Sequence, residues 1–157
     1  MDADPLLSNP VVPVASEADA RATMHALLPR LTDSTARLVV VHVIEKAGGA
    51  PDKASVEQLE ERADEIFDVV ESLAKEAGVA VETDLRFGTD IVETVFAAAD
   101  DHDASAVVFT PREGGRWLDL LTGDVTRDLV KHADRPVVVL PDESDGGSDV
   151  SSEATDE

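Results

Sequence analysis

Residues 38–44 read LVVVHVI: six aliphatic side chains, five of them branched at Cβ, interrupted by one histidine. Consecutive side chains of a strand point to opposite faces, so a run this uniformly apolar predicts a strand covered on both sides. Strands of that kind belong to parallel sheets held between layers of helix.

The flanks extend the pattern. Upstream, Pro10–Val14 (PVVPV) reads as a first strand, with its prolines where a strand end tolerates them. Between the two strands, Ala20, Met24, Leu27, Leu28 and Leu31 share one face of a helix over 17–31, which Pro29 should kink or end. Downstream, the loop Gly48–Asp52 leads to the clearest helix. Ser55 and Gln58 have capping-box spacing, Val56, Leu59, Ala63, Ile66, Val70, Leu73 and Ala77 follow at steps of three and four, and Gly78 supplies the stop. Val79–Phe87 is expected to be a third strand. Asp90 and Glu93 can cap a helix whose apolar stripe is Ile91, Val92, Val95, Phe96 and Ala99. Ser105–Thr110 is a fourth strand, followed by a loop over 111–122 and a short helix over 124–132. Arg135–Leu140 is the fifth strand. This alternation, with crossovers of ten or more residues, predicts one α/β domain: an open five-stranded, mostly parallel sheet with helices on both faces.

The chain has 157 residues, enough for one such domain, expected over 10–140. Residues 1–9 are expected to be flexible, and 141–157 to form a disordered acidic tail. With aromatics at 3%, the core must be aliphatic. There are 34 acidic residues against 13 basic, a net charge of −21, and only four of the bases are lysines. That balance weighs against a phosphate-binding face for nucleic acid and equally against docking on anionic lipid. In dilute salt such a charge weakens the compact state, whereas at molar salt the screening length falls to about 3 Å. The composition therefore suggests a salt-filled cytoplasm of the kind halophilic archaea maintain. The absence of cysteine excludes disulfides, thiolate metal sites and thiol catalysis. No apolar stretch approaches the roughly 18 residues of a membrane span and no signal-peptide pattern opens the sequence, so a cytoplasmic location without membrane insertion is expected.

In an open α/β sheet, ligands bind beyond the carboxyl ends of the strands, where the strand order reverses. The candidates are the loop after the first strand, Ala15 and Ser16, and the long loop after the fourth, from Thr110 to Asp124. The series Val12-Pro13-Val14, LVVVHVIE at 38–45 and AVVFTPREGGRWLDLLTGDVTRDLVKHADRPVVVLP at 106–141 resembles the universal stress protein family, single-domain type, over about residues 11–140. The resemblance is most specific at Gly123, Val125, Val130, His132, Ala133, Pro136, Val137 and Val139. It implies a fold of the adenine-nucleotide-hydrolase-like, Rossmann-like type.

Nucleotide-binding members of that family carry Asp after Val-Pro-Val and a phosphate loop of the form G-x2-G-x9-G-[S/T]. Glycines there let backbone N–H groups form an anion-holding nest. Counted back from Gly123, the first two glycine positions fall on Thr110 and Glu113, the final Ser/Thr position on Asp124 and the Asp position on Ala15. Gly123 matches, as does Arg112 within the loop. Two of the changes are to carboxylates, and a like-charge pair 4 Å apart costs up to about 4 kcal/mol at an effective dielectric of ~20. Gly114 and Gly115 could rebuild the nest in a shifted register, with Arg112 holding a phosphate.

The expectation is a non-enzymatic, cytosolic stress-response or regulatory protein of this class, without a cofactor, its nucleotide pocket degenerate, acting on a protein partner the sequence does not name. The alternatives are an ATP or AMP binder with slow or no hydrolysis, and an accessory subunit of a membrane transporter. The last strand, Pro136, Val137, Val138, Val139 and Leu140, is apolar and terminal, which invites pairing with a second copy. In the resembled family this strand commonly forms the dimer contact, so a homodimer is expected.

Other constellations favour structural roles. Asp100, Asp101, His102 and Asp103 at one helix end diverge too much to converge on a metal and read as a solvated acidic terminus. His25, His42, His102 and His132 lack metal-ligand spacing; His42, inside an apolar strand, reads as a packing residue. Ser16 has no supporting histidine for nucleophilic chemistry. Trp117, with Leu118, Leu120 and Leu121, is expected to pack its loop down.

Overall fold

The computed structural model describes residues 6–31, 37–45, 53–110, 131 and 134–141. Five strands, β1 (Pro10–Pro13), β2 (Leu38–Glu45), β3 (Val81–Gly88), β4 (Ala106–Phe109) and β5 (Val137–Val139), form one sheet in the order β3-β2-β1-β4-β5. Every pairing is parallel: Val11 lies opposite Val39, Pro10 opposite Ala106, Leu38 opposite Val81 and Val107 opposite Val137. The order reverses between β1 and β4, and the crevice that this topology opens lies above their carboxyl ends.

Helices α1 (Glu17–Leu27) and α2 (Lys53–Glu76) cover one face of the sheet and α3 (Ile91–Asp101) the other. The alternation hidden in LVVVHVI now resolves. Leu38 and Val40 meet Met24, Leu27, Ile66 and Val70, while Val39, Val41 and Val43 meet Val95, Phe96 and Ala99. Most of these side chains have no solvent exposure at all. Burying one of that size is worth roughly 1.5–3 kcal/mol.

Pro29 acts as a terminator: α1 stops at Leu27 and the chain continues as a single 3₁₀ turn over Leu28–Arg30. The Ser55 capping box is not where α2 begins. The helix starts two residues earlier, at Lys53, so Ser55 lies in its first turn. At the other end Gly78, with φ of +74°, donates to Lys75 while Val79 donates to Ala74, which closes the helix with a pair of crossing bonds. Strand β3 begins at Val81 rather than at Val79, because Val79 is taken up in that closure. Helix α3 ends by the same device with an aspartate in place of glycine: Asp103, φ +53°, donates to Asp100 and Ala104 donates to Ala99.

Within the amino-terminal segment, Asn9 is tied to β4 and α3. Its backbone N–H donates to Ser105 Oγ, its carbonyl accepts from Ser105, and its side-chain amide donates to the carbonyls of His102 and Asp103. The expected loop over 111–122 and the tail after Pro141 lie outside the described residues, as does the expected short helix apart from Lys131, which is helical.

Candidate functional site

Two of the sequence-predicted positions, Ala15 and Thr110, stand where the topology requires them, two residues after β1 and one after β4. Ala15 is fixed by the start of α1. Ser16 caps that helix, its Oγ accepting from the N–H of Asp19 at 3.0 Å, and Asp19 Oδ2 accepts the N–H of Ala15 at 2.7 Å. Asp19 is only 4% exposed. The loop after β1 therefore presents a methyl group, and its first amide N–H is already satisfied by a carboxylate of the protein itself. Ser16, too, is occupied as a cap rather than poised as a nucleophile.

Thr110 is 1% exposed, and its Oγ1 is buried without a hydrogen-bond partner among the described residues. A buried hydroxyl left unpaired costs about 1–3 kcal/mol. The remaining predicted positions, Arg112, Glu113, Gly114, Gly115, Gly123 and Asp124, lie outside the described residues, as do Trp117, His132 and Ala133.

Beside Ala15 opens a cleft of about 310 Å³. The carboxyl end of β2, from His42 to Glu45, forms one wall, α2 contributes Leu59 and Arg62, and Ile91 at the start of α3 closes it. Gly88 allows that approach of α3. A Cβ there would stand 2.1 Å from Thr94 Oγ1, which donates to the Asp90 carbonyl at the head of the helix. His42 is 9% exposed. Its Nδ1 lies 2.8 Å from the Val14 carbonyl, and its ring meets that of Phe67 edge-on, centroids 6.4 Å apart. Burial pushes the His42 imidazolium below the ordinary histidine value of 6.5; the Val14 carbonyl opposes that shift and the Arg62 charge adds to it.

These wall residues were not legible as a site. His42 was expected only to pack, yet it borders the cleft as well. The signals were a polar side chain inside an otherwise aliphatic strand, and Arg62 standing alone among Glu60, Glu61, Asp64 and Glu65.

The acidic end of α3 is cross-linked rather than merely solvated. Arg86 on β3 bridges Asp84 and Asp101, at 2.9 Å to each, and His102 Nε2 lies 2.8 Å from Asp84. Burial works to raise the Asp84 carboxyl, but the hydrogen bonds from Arg86 and His102 outweigh it and hold the group below the usual carboxylate range. From the lead-in to β5, Arg135 donates to the carbonyls of Ala99 and Ala104 and pairs with Asp100 and Asp134. Cations at a helix carboxyl terminus satisfy its open carbonyls and its dipole. Among the described residues, no three His, Asp or Glu side chains are grouped to hold a metal.

Strand β5 bonds to β4 on one side only among the described residues. Pro136 is exposed, Val137 and Val138 are half-buried and Val139 is 47% exposed. Leu140, expected on the edge, turns into the core instead at 6% exposure.

A sequence profile described as the universal stress protein family matches residues 9–141. The chain belongs to the universal stress protein family. A universal stress family protein from Burkholderia pseudomallei is 26% identical, with a TM-score of 0.65, over 87% of this chain and 97% of that one. The universal stress protein from Archaeoglobus fulgidus, solved in complex with dAMP, is 21% identical with a TM-score of 0.61, over 87% and 99% of the two chains. An Arabidopsis thaliana family member with AMP bound is 18% identical with a TM-score of 0.62, over 88% and 94%. No curated protein matches the chain. The universal stress protein fold thus accounts for the five-stranded parallel sheet and for the position of its crevice. No described helix is long and apolar enough to cross a membrane.

Proposed function

We propose that this universal stress protein is a non-enzymatic, cytosolic regulator that acts as a homodimer through β5, with the phosphate-holding part of its nucleotide site degenerate. The observation that carries the reading is the loop after β1. The position at which the family's binders carry an aspartate is Ala15, and the adjoining amide is consumed by the buried Asp19 carboxylate. A polyphosphate arriving there meets a methyl group, a buried negative charge and no free donor at that amide. The buried hydroxyl of Thr110, at the first glycine position and without a partner among the described residues, supports the same reading. Equilibrium dialysis of the full chain with ATP and magnesium in molar KCl tests it. Retention weaker than millimolar is expected, and sub-millimolar binding overturns it.

A second reading, an AMP-type nucleotide binder without fast hydrolysis, is favoured by a different observation. The 310 Å³ cleft beside Ala15 is large enough for a heterocycle and is walled by apolar side chains with a few polar groups, the usual character of a small-molecule site. Relatives of the same fold have been solved with dAMP and with AMP. The same dialysis with AMP separates the readings, because AMP carries less charge into the altered phosphate region.

A further inference from the structure

We propose that His42 is the specificity-determining acceptor of the cleft, its Nε2 taking a hydrogen bond from an N–H or O–H of a nucleoside. The inference rests on the second reading above and names the polarity the cleft selects. A carbonyl oxygen can only accept, so the 2.8 Å contact with Val14 places the ring proton of neutral His42 on Nδ1. The lone pair is thereby left on Nε2. Among the described residues nothing donates to it, and His42 is one of the residues that line the cleft. Burial that leaves only 9% of His42 exposed and the edge-on Phe67 ring restrict the imidazole to this orientation, so the acceptor is fixed before a ligand arrives.

The surroundings determine what a second proton would do. Among the described residues, the charged groups that line the cleft are Arg62 from α2 and Glu45 at the end of β2, while the Asp19 carboxylate of α1 is engaged with the Ala15 N–H. β3 sets Leu85 opposite His42, and α3 contributes Ile91 to the cleft, neither of them titratable. Protonation converts the acceptor into a donor and adds a positive charge to the one Arg62 already carries. A ligand that donates to Nε2 then loses its bond and faces a competing donor. Binding of such a ligand should therefore fall with pH, with its midpoint at the titration of this one ring.

Adenosine is the suitable probe, because it has no phosphate whose own titration would mimic the effect. Calorimetric binding to the full chain in molar KCl, from about pH 8 to about pH 5, is paired with NMR titration of the His42 ring. Affinity is expected to drop about tenfold, the worth of one hydrogen bond with its penalty for mispairing, in step with the ring. In His42→Gln, whose Oε1 keeps an acceptor that takes no proton, binding should persist and the pH dependence vanish. Adenosine binding that is flat with pH in the wild type, or equally pH-dependent in the variant, overturns the assignment and leaves the cleft reading intact. Failure of adenosine to bind while AMP binds in dialysis overturns the assignment alone; failure of both overturns the assignment and the reading beneath it. The wild-type titration decides the matter even if the variant does not fold.

Discussion

Strands β3 and β5 are the two edges of one sheet, and they are built differently. β3 runs for eight residues with Glu82, Asp84 and Arg86 alternating along it, and those side chains reach across to Asp101 at the end of α3 and to His102 just beyond it. β5 has three valines, one of them nearly half exposed. Charge threaded along an edge opposes pairing with another chain, whereas a bare apolar edge invites it. On the proposed reading, self-association belongs to the β5 side and solvent to the β3 side, and that contrast can be attacked from either side.

The largest effect is expected at β5. Val139→Lys should weaken dimerisation by roughly a hundredfold, read by sedimentation equilibrium, because a charge must then be buried in the contact. Phe87→Lys on β3, at a residue already 39% exposed, should leave the association unchanged. Equal loss from both would mean that the edges are not distinct.

Next is the inner charge of β3. Arg86→Ala leaves the half-buried Asp84 with His102 as its remaining partner, and a loss of about 1–3 kcal/mol is expected in urea denaturation at molar KCl. The same carboxylate sets an acid limit. Its folded-state value is depressed, so its contribution is complete above the unfolded value near 4 and is lost as pH falls through the lower folded value. Asp84→Asn should flatten melting temperature against pH below about 4, without touching the separate loss that His42 imposes below about 6.5. The smallest effect belongs to the outer pair. Arg37 and Glu82, 3.2 Å apart, are both nearly half exposed, so Glu82→Gln should cost less than about 0.5 kcal/mol.

Much of this architecture could be read in the chain. LVVVHVI announced a strand covered twice, and the strand–helix alternation then left little choice of topology. Boundaries were less visible. Lys53 rather than Ser55 opens α2, and Val79 is spent on closing that helix before β3 can begin. Local spacing locates a cap, but it does not fix where neighbouring elements let a helix start.

The site was half legible, for a related reason. Ala15 and Thr110 follow from topology alone. The part played by His42 depends on a carbonyl 28 positions away, and Arg135 reaches partners 31 and 36 positions away. Neither relation leaves a periodic trace. Asp103 is the subtler case: it takes the backbone shape that Gly78 takes at the end of α2, and an aspartate tolerates that shape well enough to conceal the turn.

Arg135 has one more consequence. It stands immediately ahead of the exposed valines and grips the far tip of α3, while the near tip of that helix carries Ile91 at the mouth of the cleft. A rod of eleven residues, some 16 Å long, thus has one end clasped beside the seam where a twin subunit would join and the other bordering the chamber. Any displacement of the last strand must either carry the rod along or tear the clasp open.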